Sequence, residues 1–175
     1  MPAWLFASQL GAAPESTRTP KALPRPVERP DLIGFNGLGG FTHDGREYVI
    51  TTTAELRTPT PWVNVLANPW FGSVVSESGG SYTWCENART YRLTPWHNDP
   101  VGDDSGEALY IRDEETGRYW SPTPLPATGA GHYTTRHGFG YSAFEHDEAG
   151  LFSELLVYVA TDAPLKFLVL NLENN

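Results

Sequence analysis

The chain has 175 residues, with 12 basic against 21 acidic side chains, a net charge of −9, and 13% aromatic residues. That acidic balance excludes a nucleic-acid partner, because phosphate binding needs a basic footprint, and no apolar run approaches the ~18 residues of a membrane span, so no direct membrane insertion is expected. The length fits one domain with a tail, and the lone Cys85 has no internal disulfide partner.

The N-terminus, "MPAWLFASQLGAAPES", is apolar for a short stretch but has no basic region ahead of it, so it does not read as a signal peptide. A cytoplasmic location is the expectation, in keeping with a single free cysteine. Residues 11–30, "GAAPESTRTPKALPRPVERP", are rich in proline and small polar residues and lack apolar periodicity. They complete a flexible leader over residues 1–30, and the domain proper spans 31–175.

From there the punctuation is that of β-structure. In "LGGFTHDGREYVITTT", Asp44-Gly45 separates two strand-like runs, and Tyr48 and Ile50 alternate with polar neighbours. "WVNVLANPWFGSVVSES" supplies two further strands broken at Asn68-Pro69, and "EALYIRDEETGRYWSP" a hairpin turning at Glu115 to Gly117. Three long strands follow, in "HYTTRHGFGYSAFEHDEAG", "LFSELLVYVATDAP" and "LKFLVLNLENN". In the second, Leu155, Val157 and Val159 share one face while Leu156 and Tyr158 share the other, so the strand is expected to be buried between layers. With 15 prolines and 17 glycines there is little room for helices, and the fold class is an all-β, antiparallel two-layer sandwich. The sequence stops on an apolar strand, which suggests a truncated piece of something larger.

The densest chemistry lies in "SYTWCENARTYRLTPWHNDP", residues 81–100. Aromatic faces stack on the C–H surfaces of pyranose rings, and asparagine and arginine hydrogen-bond to hydroxyl groups. Pockets combine apolar walls with a few placed polar groups in this way. Trp84, Asn87, Arg89, Arg92, Trp96 and Asn98 are the candidates for a carbohydrate-binding site. The competing reading places the tryptophans in the sandwich core and pairs the arginines with acidic neighbours.

Elsewhere the residues compose no catalytic centre. Asp103-Asp104 and Asp113-Glu114-Glu115 read as solvated loop charge, and Glu145 and Asp147 share a strand face without a matching acid–base partner. His132, His137 and His146 lack metal-ligand spacing, so neither a metal nor any other cofactor is expected. "SESGG" is no nucleophile elbow, and "FNGLGGF" precedes a hairpin rather than a helix.

Taken together, "FNGLGGFTHDGREYVIT", "TPTPWVNVLANPWFGSVVSESGGSYTWCENARTYRLTPWHNDP", "GEALYIRDEETGRYWSPTPLP" and "YTTRHGFGYSAFEHDEAGL" resemble the N-terminal β-sandwich of the family-94 inverting glycoside phosphorylases. The likeness covers residues 32 to about 172 and is strongest toward the cyclic β-1,2-glucan synthase branch, where a proline-rich lead-in precedes "FNGLGGF". It implies a super-sandwich of the galactose-mutarotase-like type. In that family the sandwich packs on an (α/α)6 barrel that carries the catalytic acid and most of the phosphate site. The sandwich itself aids dimer formation and lends loops to the rim of the sugar cleft. No barrel sequence is present, and the family's sandwich continues for further strands.

The expectation is therefore a module without catalysis of its own that binds or positions β-glucan oligosaccharides. Alternatives are a structural or dimerisation domain that docks a partner, and a mutarotase-like epimerase. A homo-oligomer, or docking to a catalytic barrel, is expected from exposed sheet edges.

Overall fold

The computed structural model describes residues 29–97, 99 and 101–174. All but the last two residues of the expected leader, together with the candidate Asn98, lie outside the described residues. Eleven strands and no helix occur among the described residues, and they form a six-stranded sheet, a three-stranded sheet and a two-stranded ribbon.

The six-stranded sheet contains β1 (Gly39–Phe41), β2 (Glu47–Thr52), β8 (Tyr133–Gly138), β9 (Tyr141–Glu148), β10 (Leu151–Val159) and β11 (Lys166–Asn174), in the order β1-β2-β8-β9-β10-β11. The smaller sheet is β3 (Val63–Ala67), β4 (Phe71–Ser76) and β5 (Ser81–Cys85). All the pairings are antiparallel. The predicted 107–122 hairpin forms only short strands, β6 (Ile111–Arg112) and β7 (Tyr119–Trp120), and its turn places Gly117 at φ 72°.

The punctuation acts through identifiable contacts. Asp44 Oδ1 accepts from the Thr42 hydroxyl and the Arg46 amide, while Gly45 takes φ 68°, a left-handed value that glycine adopts without a Cβ penalty. Asn68 Oδ1 accepts from the amides of Trp70 and Phe71. Its Nδ2 donates to the carbonyls of Ala160 and Ala163, both at 2.8 Å, tying the β3–β4 turn to the β10–β11 turn.

The core lies between the two sheets. Leu66 and Val75 of the small sheet pack against Phe144, Leu155 and Val157 of the large one, all almost fully buried. Period-2 alternation decides this. Leu66 and Val75 face inward while Val65 and Val74, their sequence neighbours, face outward. Next to β11 the layers leave an apolar cavity of about 240 Å³, lined by Val75, Phe144, Leu155, Val157 and Leu168. Glu107 and Lys166 line it too, and they form an ion pair at 2.5 Å.

The two-layer, all-β sandwich is as read from sequence. One expectation for β10 is corrected. Its inner face is buried, but Leu156 and Tyr158 on the outer face are only half-buried, because no described layer covers that side. The outer face of the large sheet instead carries a charge cluster. Arg136 lies 2.8 Å from Glu145, 3.2 Å from Glu154 and 3.9 Å from Glu47.

Candidate functional site

The candidate stretch enters on β5. Thr83 points inward and is buried, so Tyr82 and Trp84 point out of the small sheet. The register places Trp84 opposite Gly72 and Tyr82 opposite Val74. A Cβ on Gly72 would overlap the Trp84 indole, so only glycine lets the ring lie against the β4 backbone at that point.

After Cys85 the chain reverses. Glu86 takes φ 58°, and Asn87 Oδ1 accepts from the amides of Arg89 (2.8 Å) and Thr90 (3.1 Å). The returning segment then runs antiparallel to β5. Cys85 N donates to Tyr91 O, Leu93 N donates to Thr83 O, and Trp84 and Arg92 form a bridge pair. Arg92 thus emerges beside Trp84 on the outward face.

There the side chains converge. Tyr82 stacks on Trp96 with centroids 5.1 Å apart and planes at 27°, and Trp84 lies 5.7 Å from Tyr82. The Arg92 guanidinium sits 4.8 Å from the Trp96 ring centroid and 5.9 Å from that of Tyr82, within cation–π range. Its Nε is oriented by the Ala88 carbonyl at 2.7 Å. Trp96 remains 44% exposed, and Trp70 and Tyr91 are also exposed. The result is an aromatic platform with one fixed cation.

The six sequence-derived candidates separate on this geometry. Trp84, Arg92 and Trp96 come together. Asn87 spends its side-chain oxygen on the turn, where it shapes the hairpin that carries Arg92. Arg89 is exposed and makes no side-chain hydrogen bond or ion pair among the described residues. Tyr82, which stacks on Trp96 and lies near Trp84, escaped the sequence reading. The signal was available, because it lies two residues before Trp84 on one strand. Asn87→Ala is expected to lower stability by about 1 kcal/mol through loss of the turn bonds, while weakening any glycan less than loss of Trp96 does. Chemical unfolding beside a binding titration checks both halves.

The platform is held from beneath by Glu107. Its Oε1 accepts from the hydroxyls of Thr83 (2.6 Å) and Thr94 (3.0 Å), and the Thr94 hydroxyl in turn accepts from the Thr83 amide. Burial alone would raise the Glu107 carboxyl, but the Lys166 ammonium and the two threonine hydroxyls outweigh it and hold it below its ordinary value.

Two further groups test the catalytic alternatives. His146 and Glu148 approach to 3.6 Å, but both are buried, with His146 stacked on Tyr133 at 3.7 Å. Glu148 accepts from Arg118 and from the Ala130 amide. This pair is packed structure and not the two sides of an open cleft. Among the described residues no group of three histidine, cysteine or acidic side chains is arranged to hold a metal ion, and no helix is long and apolar enough to cross a membrane.

The family profile described as "Glycosyl hydrolase 94, supersandwich domain" matches residues 46–175, which include the whole platform. The chain belongs to this family. It is 40% identical over 145 residues to the cyclic beta-(1,2)-glucan synthase NdvB of Rhizobium meliloti (strain 1021), covering 82% of this chain and 5% of that protein. It is 35% identical over 124 residues to the N,N'-diacetylchitobiose phosphorylase of Vibrio furnissii, covering 69% and 15% respectively. Against the solabiose phosphorylase of Paenibacillus borealis it is 32% identical over 146 residues, covering 79% and 18%. The chain therefore spans a small fraction of the relatives it matches, and within glycosyl hydrolase 94 proteins it corresponds to the supersandwich domain.

Proposed function

We propose that this supersandwich domain is a non-catalytic module that binds and positions β-glucan oligosaccharides for a carbohydrate-active enzyme. The observation that carries the reading is the outward platform of Tyr82, Trp84 and Trp96 with Arg92 fixed beside it. Half-exposed aromatic rings offer apolar faces to the axial C–H groups of a sugar, and the guanidinium donates to its hydroxyls. The matched relatives include a protein named for cyclic β-1,2-glucan synthesis, which favours a β-1,2-linked glucan as ligand. Arg89, between Trp84 and Arg92 in the sequence, and Asn98, two positions after Trp96, are proposed as peripheral contacts. A cytoplasmic setting goes with the free Cys85.

The test is a titration with β-1,2-linked gluco-oligosaccharides followed by tryptophan fluorescence, with cello-oligosaccharides as control. Trp96→Ala is expected to weaken binding at least tenfold with an unchanged fold. Equal affinity in the variant would remove the platform from the site.

A second reading, docking to a catalytic barrel or to another copy, is favoured by one specific observation. Val63 and Val65 beside the platform are more than half exposed, as is Leu165, and Leu168 and Leu172 of the edge strand β11 are nearly so. A saturable apolar edge of this kind favours association. Absence of any glycan response, together with a dimer by light scattering at micromolar concentration, would move the assignment to assembly.

A further inference from the structure

We propose that the pocket between Thr52, Glu77 and Asp103 is a second subsite, which takes terminal hydroxyl groups of a neutral sugar. The pocket lies at one end of the sandwich, and none of its lining residues belongs to the aromatic platform. β2 contributes Thr52 from its inner face, and the end of β4 contributes Glu77 and Ser78. The 53–62 loop adds Arg57, Thr58, Thr60 and Pro61, and Val101 and Asp103 complete that side of the lining.

Two observations point to a ligand. The first is a concentration of hydrogen-bonding oxygens around a small cavity of about 50 Å³. Glu77 is 4% exposed and accepts from the Thr58 hydroxyl and, at 2.7 Å, from the Trp62 amide. Asp103 accepts from the hydroxyls of Ser76 and Ser78 and packs against Gly80. It is not the solvated loop charge expected from sequence. The second observation is independent of the acids. Thr52 lines the same pocket and is 4% exposed, yet its Oγ1 has no hydrogen-bond partner among the described residues. A buried hydroxyl left unpaired costs free energy that a ligand hydroxyl would recover.

The chemistry selects the ligand. Two carboxylates against the single guanidinium of the exposed Arg57 leave the lining net acidic, which disfavours phosphate and other anions. A divalent cation wants six or more oxygens and full carboxylate charge, whereas burial pushes the Glu77 carboxyl up, with Asp103 adding to the effect. Carboxylates with spare lone pairs, several hydroxyls and the prolines Pro61 and Pro124 suit a neutral group that donates through O–H. At roughly 10–15 Å³ per water-sized sphere, the cavity holds about three to five such spheres. That accommodates a hydroxymethyl group and its neighbouring hydroxyl, not a whole ring.

The position supports the same ligand. Asp103 packs on Gly80, which lies two residues before Tyr82 along the chain, roughly 7 Å on an extended strand. Asp103 also follows Trp96 by seven positions in the sequence. The inference rests on the proposed function only for the choice of sugar, since the pocket is read from its own residues.

The experiment uses the full chain, with 13C-methyl NMR of Thr52 and Thr58 read beside tryptophan fluorescence. The probes are D-glucose, a β-1,2-linked glucotriose and calcium chloride. Saturable shifts of the Thr52 methyl with both sugars are expected. Thr52→Val keeps the shape and removes the unpaired hydroxyl. It is expected to raise Tm by about 2–4 °C while weakening glucotriose roughly tenfold, two effects of opposite sign that a purely structural role would not produce. A raised Tm with unchanged affinity would overturn the subsite. So would Thr52 shifts produced by calcium chloride alone. Tryptophan quenching by glucotriose without any Thr52 shift would overturn the subsite and leave the platform standing. Thr52 shifts without quenching would support the subsite and count against the platform.

Discussion

Lys166→Ala is expected to lower the free energy of unfolding by about 3 kcal/mol at neutral pH. Lys166 and Glu107 are both largely buried and meet at 2.5 Å. Removing the ammonium leaves a carboxylate facing an apolar cavity with only the hydroxyls of Thr83, Thr94 and Ser81 for company. Partial access of water to Glu107 keeps the cost at the lower end of the range for broken buried pairs.

The pH dependence gives the sign. In the parent chain the Glu107 carboxyl is held below its ordinary value, so its contribution is present above the ordinary carboxylate range and is lost as pH falls through the folded value. In the variant the ammonium no longer lowers the same carboxyl, so it titrates higher than in the parent and its contribution to stability shrinks. The gap between the two proteins is therefore wide at pH 7 and narrows below about pH 4. Urea unfolding at several pH values measures it. A gap that stays constant with pH would show that Lys166 acts through its methylene stem alone. Glu107→Gln in the Lys166→Ala background should recover part of the loss, because it removes the unpaired charge and keeps an acceptor for Thr83 and Thr94.

The parts of the fold legible in sequence are those encoded locally. The left-handed glycine at Asp44-Gly45, the Asn68 turn and the alternation of Leu155 and Val157 each follow from neighbours within a few residues, and each appears where expected. Membership of the glycosyl hydrolase 94 supersandwich family was legible for another reason, several ordered blocks of wording along one chain. What sequence left unread depends on pairing between distant segments. Glu107 reaches Lys166 across 59 positions, and Thr52, Glu77 and Asp103 meet only when both sheets and a long loop have closed. No periodicity in "DDSGE" marks Asp103 as half-buried and bonded to Ser76 and Ser78. Asn87 shows the reverse error of emphasis. Its residue type suits sugar recognition, but a turn with a left-handed residue beside it claimed the side-chain oxygen first.

Tyr82→Ala is expected to reduce β-1,2-glucan affinity by more than tenfold, although Tyr82 was absent from the sequence-derived site. The loss comes from order and not from contact area alone. Trp96 stands on an irregular segment, and the ring packing recorded for it is the stack on Tyr82 at 5.1 Å, with Arg92 4.8 Å from its own centroid. Deleting Tyr82 frees the indole, while Arg92 keeps its Ala88 carbonyl bond but loses its place against a fixed ring, so a bound sugar must then restrain an indole that the protein had already fixed. A central aromatic anchor of this type costs about 2 kcal/mol or more when truncated, which corresponds to about a thirtyfold loss in affinity. The outward position of Tyr82 on β5 keeps the core intact, since its inward neighbours Thr83 and Ser81 are unchanged. Unfolding midpoints should therefore move little while binding collapses. Tyr82→Phe retains the stack and should bind within a few-fold of the parent, separating ring packing from the hydroxyl. If Tyr82→Ala bound glucan as well as the parent while Trp96→Ala did not, Trp96 would act as an isolated contact, and the preorganised platform would be disproved.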